Sequence, residues 1–138
     1  MRTFRGEPLV AGAARGEVAW SARTVALSRI NTSTGRYEDP DHEWHLKPLA
    51  DRILVFPAVN GSTSGSYVLM NLALSGIAPS GIVVARPDAI LIAGAMLAEI
   101  PVVRLGHAVL RNQLSAAAAA DMDGSTGTVR FWRVQVVL

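Results

Sequence analysis

Between Arg52 and Val103 the sequence alternates short apolar runs with stretches of helical periodicity, and this pattern constrains the fold more than any other feature. Arg52-Ile-Leu-Val-Phe-Pro57 has the composition of a buried strand and ends at a proline. The polar stretch Asn60-Gly-Ser-Thr-Ser-Gly-Ser66 follows, then Tyr67 to Leu74, where Val68, Leu69, Leu72 and Ala73 recur at helical spacing and Gly76 stands as a stop. Ile82-Val-Val-Ala85 is a second buried strand, Asp88 is placed to cap a helix over Ala89 to Ala98, and Pro101-Val-Val103 is a third strand. Strand, loop, helix, strand, helix, strand predicts parallel pairing joined by right-handed crossovers.

The flanks are less regular. Glu7 to Gly12 and Gly16 to Ala22 predict two short strands with a turn near Ala13 to Gly16. Residues 28–48 show no period: Asn31-Thr-Ser-Thr-Gly35 is turn chemistry, and Asp39-Pro-Asp-His-Glu-Trp-His45 predicts a solvated polar loop. A connection of that length in a compact domain is usually functional or mobile. The tail points two ways. Ala116 to Ala120 has the strongest helix propensity of any residue type, yet Asp121-Met-Asp-Gly124 before Thr126 to Trp132 reads as a turn entering a final strand.

With 138 residues, half of them apolar and 17% charged, the chain has material for one core and the composition argues against disorder. A chain of this size buries roughly 68% of the surface its unfolded form exposes, so one domain over residues 1–138 is expected. No apolar window of about 18 residues is present for a membrane helix, and no apolar stretch follows the N-terminal arginines. A cytoplasmic protein without a membrane partner is therefore the expectation. The net charge is +2 with no Lys/Arg cluster, which speaks against nucleic acid. Of 13 basic residues only Lys47 is lysine. The absence of cysteine excludes disulfides, thiol nucleophiles and any thiolate-held metal or iron–sulfur cluster on this chain alone.

The richest candidate site is Gly61 to Ser66, between a buried strand and a helix start where free N–H groups and the helix dipole favour an anion. Ordinary N-capping by Ser or Thr explains the same residues equally well. A P-loop is excluded because the segment ends Gly65-Ser66 without lysine. A nucleophile elbow is excluded because Thr63, not serine, is midway between Gly61 and Gly65. No histidine adjoins the loop to serve as a phosphate carrier. His42, His45 and His107, even with Asp41 and Glu43, show no metal-binding spacing, so no metal is expected. Arg86 is placed to share the loop's cleft, and Asp88 reads as a cap. Trp20, Trp44 and Trp132 are too scattered to stack nucleotide bases.

In order, Leu9-Val-Ala-Gly-Ala-Ala-Arg-Gly16, Asn31-Thr-Ser-Thr-Gly-Arg36, Ile53-Leu-Val-Phe-Pro57, Gly61-Ser-Thr-Ser-Gly-Ser-Tyr-Val-Leu69, Gly76-Ile-Ala-Pro79 and Ala89-Ile-Leu-Ile-Ala-Gly-Ala95 resemble the small subunit, or swivel domain, of the aconitase X dehydratases. The likeness spans about residues 5–135. It implies an α/β fold, a swivelling β/β/α domain with a central parallel β-sheet core flanked by helices and additional strands. It also implies a heterodimer with a large subunit that carries an iron–sulfur cluster, this chain binding no cofactor of its own. By position, the resemblance makes Ser62 the catalytic base and Gly61, Thr63, Ser64, Gly65 and Ser66 the substrate-binding loop. The implied reaction removes water from a hydroxy acid. Cis-3-hydroxy-L-proline is expected, since no further basic residue marks a phosphate site near the loop in sequence. The small subunit of a phosphomevalonate dehydratase and a non-catalytic small-molecule-binding module of the same fold are the alternatives. The chain departs from the family at Ala58-Val59-Asn60, where a polar residue or arginine is usual, and by a shorter Ala98 to Pro101 segment.

Overall fold

The computed structural model describes residues 1–60, 65–112 and 117–133. In chain order the elements are β1 (Arg2–Arg5), β2 (Glu7–Val10), β3 (Ala13–Trp20), β4 (Val25–Ala26), a 3-10 turn (Leu27–Arg29), β5 (Ile53–Asn60), α1 (Gly65–Leu74), β6 (Gly81–Arg86), α2 (Ala89–Ala98), β7 (Val102–Arg104), α3 (His107–Asn112), β8 (Ala119–Asp123) and β9 (Thr128–Trp132). The strands form one mixed sheet in the order β1-β9-β8-β3-β5-β6-β7-β2, with β4 beside β5. Its centre is parallel, β3 to β5 to β6 to β7, and the wings are antiparallel. This is the parallel centre that the alternation predicts.

The central strands are apolar without interruption because both their faces are covered. Leu54, Phe56, Ile82, Val84 and Val102 face α1 and α2 through Leu69, Leu72, Leu91 and Ala95. Their neighbours Ile53, Val55, Val83 and Val103 face the other way, onto Leu110 of α3 and onto Met122, Val129 and Phe131 of the antiparallel wing. The wing thus forms a second β layer over the parallel strands. Asp88 caps α2 as its position predicts, its Oδ1 accepting from Leu91 N–H at 2.8 Å. The two helices meet at Gly94, where a Cβ would come within 2.8 Å of Ser66 Cα. That close approach fixes the first turn of α1.

Three sequence expectations give way. The strands at residues 7–12 and 16–22 are no hairpin: β3 runs through Ala13 to Gly16, and β2 pairs with β7 at the far edge of the sheet. Gly16 is present for close packing, since a Cβ there would collide with the Asp51 carbonyl oxygen, and the chain turns instead at Gly12, whose φ is +129°. Residues 119 and 120 of the alanine run are strand, because Ala120 pairs with both Gly16 and Phe131 and is fully buried; tertiary packing overrides propensity. Residue 116 lies outside the described residues. The Asp39 to His45 segment is solvated only in part: Pro40, Asp41, Glu43 and His45 are exposed, while His42 and Trp44 are buried. Among the described residues no helix is long and apolar enough to cross a membrane.

Candidate functional site

The carboxyl end of β5 at Asn60 and the first turn of α1 at Gly65 bracket the Gly-Ser segment. Gly61, Ser62, Thr63 and Ser64 lie outside the described residues. Gly65 is buried, and a Cβ on it would stand 3.1 Å from Leu27 Cδ1 and 3.5 Å from Ile90 Cγ2, so glycine lets α1 start tight against the 3-10 turn and α2. Ser66 is half-buried on the α2 crossing. No charged residue occupies either α1 or α2. The first turn of α1 therefore carries no acidic side chain to compete for its amides.

A cleft of about 630 Å³ opens beside Asn60, walled by Arg23, Thr24, Ala26, Arg29, Tyr37, Asp39, Asp41 and His42. It exists because β4 lies along the last residues of β5, with Val25 against Val59 and Ala26 against Asn60. Asn60 Nδ2 donates to Thr24 Oγ1 at 3.1 Å and ties the two walls together. Spacing in the sequence hid this neighbourhood: Arg23 and Arg29 share a cleft with Asn60, the residue just before the Gly-Ser segment, from more than 30 residues upstream. The sequence-based ground for preferring an unphosphorylated substrate, a lack of basic residues near the loop, therefore falls. Arg86 is exposed at the end of β6, next to Ala58 on the same carboxyl edge, but it does not line this cleft.

The cleft's floor is an aromatic cluster. Tyr37, His42 and Trp44 pack at tilted to edge-on angles, with centroids 4.6 Å (Tyr37–His42), 5.4 Å (His42–Trp44) and 5.9 Å (Tyr37–Trp44) apart, and Trp44 meets Phe56 edge-on at 6.0 Å. Trp44 is 0% exposed and His42 7%. Trp44 Nε1 donates to the Trp20 carbonyl at 2.9 Å, anchoring the segment to the end of β3. His42 Nδ1 accepts from Trp44 N–H at 3.0 Å, which assigns the imidazole proton to Nε2, 3.4 Å from Ser21 Oγ. Ser21 Oγ donates in turn to Glu43 Oε1 at 2.5 Å. Serine, histidine and glutamate are thus together without being a nucleophilic triad. A protonated Nε2 cannot take the serine proton, and Ser21 is itself buried.

Burial pushes the His42 pKa below its ordinary 6.5, with the Thr24 backbone and Glu43 opposing. The unfolded chain then binds more protons than the folded one, so the stability that neutral His42 supports is complete above pH 6.5 and is lost as pH falls through the lowered value. Urea midpoints should fall between pH 7.5 and pH 5, and the His42→Gln variant should show a smaller fall over that window. An equal fall in both proteins would remove His42 as the source.

The other histidines do not converge. His45 Nδ1 accepts from Asp39 N–H at 3.1 Å, and His107 begins α3 on the opposite face of the sheet. Among the described residues no group of three or more His, Cys, Asp or Glu is arranged to hold a metal. A larger groove of about 930 Å³ crosses the antiparallel wing, away from the Gly-Ser segment. Within it Arg130 holds both Asp121 oxygens at 2.9 Å. The outward faces of α1 and α2 expose Tyr67 at 63%, Leu74 at 80%, Met96 and Leu97.

Residues 3–131 match the family described as aconitase X swivel domain. The chain is 33% identical over 129 residues to the phosphomevalonate dehydratase small subunit of Pyrococcus furiosus, an alignment covering 93% of this chain and 94% of that one. A protein of the same description from Methanopyrus kandleri is 42% identical over 95 residues, 69% of this chain and 70% of its own. Among solved structures, the crystal structure of Thermococcus kodakaraensis aconitase X in its holo-form superposes with a TM-score of 0.87 at 29% identity, covering 96% of this chain and 100% of that one.

Proposed function

The chain belongs to the aconitase X swivel-domain family, and from that premise we propose that it is the small subunit of a hydro-lyase that works with a large partner and removes water from a hydroxy acid. The observation that carries the reading is what brackets the Gly-Ser segment in the chain: Asn60, the carboxyl end of a central parallel strand beside a cleft, and Gly65, the start of an uncharged helix. Open α/β sheets bind ligands at that edge. Residues 1–138 are taken as one swivel unit.

In this reading Ser62 removes the proton from the carbon next to the substrate carboxylate while the neighbouring carbon loses its hydroxyl. Thr63, Ser64, Ser66 and the backbone of Gly61 and Gly65 orient the substrate. The apolar, chargeless outer face of α1 and α2 supports a protein partner, since exposed apolar patches of this kind mark interaction surfaces. The chain has no thiolate to offer an iron–sulfur cluster. Such a cluster is proposed for the partner.

Phosphomevalonate is the substrate favoured by the relatives' descriptions. Cis-3-hydroxy-L-proline is the second reading, favoured by the cleft itself: Arg23 and Arg29 are matched there by Asp39 and Asp41, a balance that suits a zwitterion. The test is to produce the chain with the large subunit encoded beside it and assay both compounds for the unsaturated product. Water loss from one of them only when the two subunits are mixed is the expected result. Association without turnover of either would favour a non-catalytic module, and failure to associate would overturn the assignment.

A further inference from the structure

The cleft beside Asn60 contains a pair of donors that the proposed reaction leaves unused. Tyr37 is 1% exposed, yet it lines the cleft. Its hydroxyl oxygen accepts from Ala26 N–H at 3.0 Å, and among the described residues its own proton has no acceptor. Burial raises the Tyr37 pKa above 10.0, so the group stays a phenol and keeps that proton to donate. Arg29 ends the 3-10 turn on the same wall, its carbonyl accepting from the N–H of Glu38, the residue after Tyr37, at 2.8 Å. Among the described residues its side chain makes no ion pair. The other guanidinium of the cleft, on Arg23, is already bonded to the Asp41 carbonyl.

We propose that Arg29 and Tyr37 form a carboxylate subsite, the guanidinium and the phenolic O–H donating to a carboxylate held next to Asn60. A planar guanidinium with a neutral donor beside it matches the two oxygens of that group. Asp39 and Asp41 line the same cleft and set the charge limit. Arg23 and Arg29 balance Asp39 and Asp41, so the cleft has no surplus positive charge and a dianionic phosphate should bind less well here than a carboxylate. That the carboxylate belongs to the substrate rests on the dehydratase reading; the subsite itself does not.

The subsite is tested on the full chain by following the Tyr37 ring and Arg29 side-chain resonances while titrating sodium acetate and, separately, inorganic phosphate at pH 8. Acetate should give saturable shifts that vanish in Arg29→Gln and partly return in Arg29→Lys, and phosphate should give weaker ones. Acetate shifts that are absent, or that persist in Arg29→Gln, overturn the proposal, as does phosphate binding as tight as acetate. In the two-subunit enzyme Arg29→Gln should raise KM about tenfold or more, the value of one charge-assisted hydrogen bond, with kcat little changed. Turnover with an unchanged KM and silent acetate sinks the subsite and leaves the dehydratase reading standing. Acetate binding at Arg29 in a chain that supports no turnover does the reverse.

Discussion

Replacing Ser62 with alanine in the two-subunit enzyme should lower kcat by about 100- to 10,000-fold, the range that a positioned general base contributes. The reason lies in how poor a base serine is. Its hydroxyl holds its proton at neutral pH, so it must first give that proton up and can take the substrate's only as an alkoxide that the site stabilises strongly. In the proposed reaction the α1 start would supply part of that stabilisation through the positive end of its helix dipole, with no acidic residue in its first turn to oppose it. Ser66 belongs to that first turn and packs on Gly94, a placement suited to orientation rather than proton transfer. Ser66→Ala should accordingly act mainly on KM. The measurement is steady-state turnover together with gel filtration of the subunit pair. A Ser62→Ala enzyme that assembles and turns over near the normal rate would remove Ser62 as the base, and one that fails to assemble would mark it as an interface residue.

What was legible in the sequence was the part governed by local pattern. β5, β6 and β7 read as strands because both faces of each are buried, which leaves unbroken apolar runs between turn residues. α2 was framed by its Asp88 cap, and α1 by the glycine at 76, whose φ is +72°. Long-range pairing left no such trace. Nothing in Glu7 to Val10 says that it borders β7, and Gly16 resembles a turn residue until the Asp51 carbonyl is seen against it. The site divides the same way. A strand, a Gly-Ser run and a helix pointed to the segment, whereas the cleft wall reaches it only through the two-residue strand β4, too short to show a period. His42 and Trp44 read as solvated because their sequence neighbours are Asp, Glu and Pro, although their partners Tyr37 and Phe56 come from elsewhere in the chain.

That last misreading yields the largest expected effect on stability. Trp44→Ala should cost about 3–5 kcal/mol, the usual cost of emptying a buried tryptophan site. The side chain is fully buried, it packs against three rings, and its Nε1 bond to the Trp20 carbonyl disappears with it, leaving that oxygen short of a partner. Against a total stability of about 5–15 kcal/mol for a typical domain, such a loss brings the chain near its unfolding threshold. Urea denaturation of Trp44→Ala and Trp44→Phe gives the comparison. Phenylalanine keeps most of the ring contacts and should retain a large share of the stability. A loss below about 1 kcal/mol for alanine would mean that residues 37–44 are not core. The consequence also extends to the site, because Tyr37 stands edge-on to Trp44 while lining the cleft. If the cluster positions Tyr37, Trp44→Phe should weaken acetate binding at Arg29 even where the chain remains folded, linking the packing of this segment to what the cleft can hold.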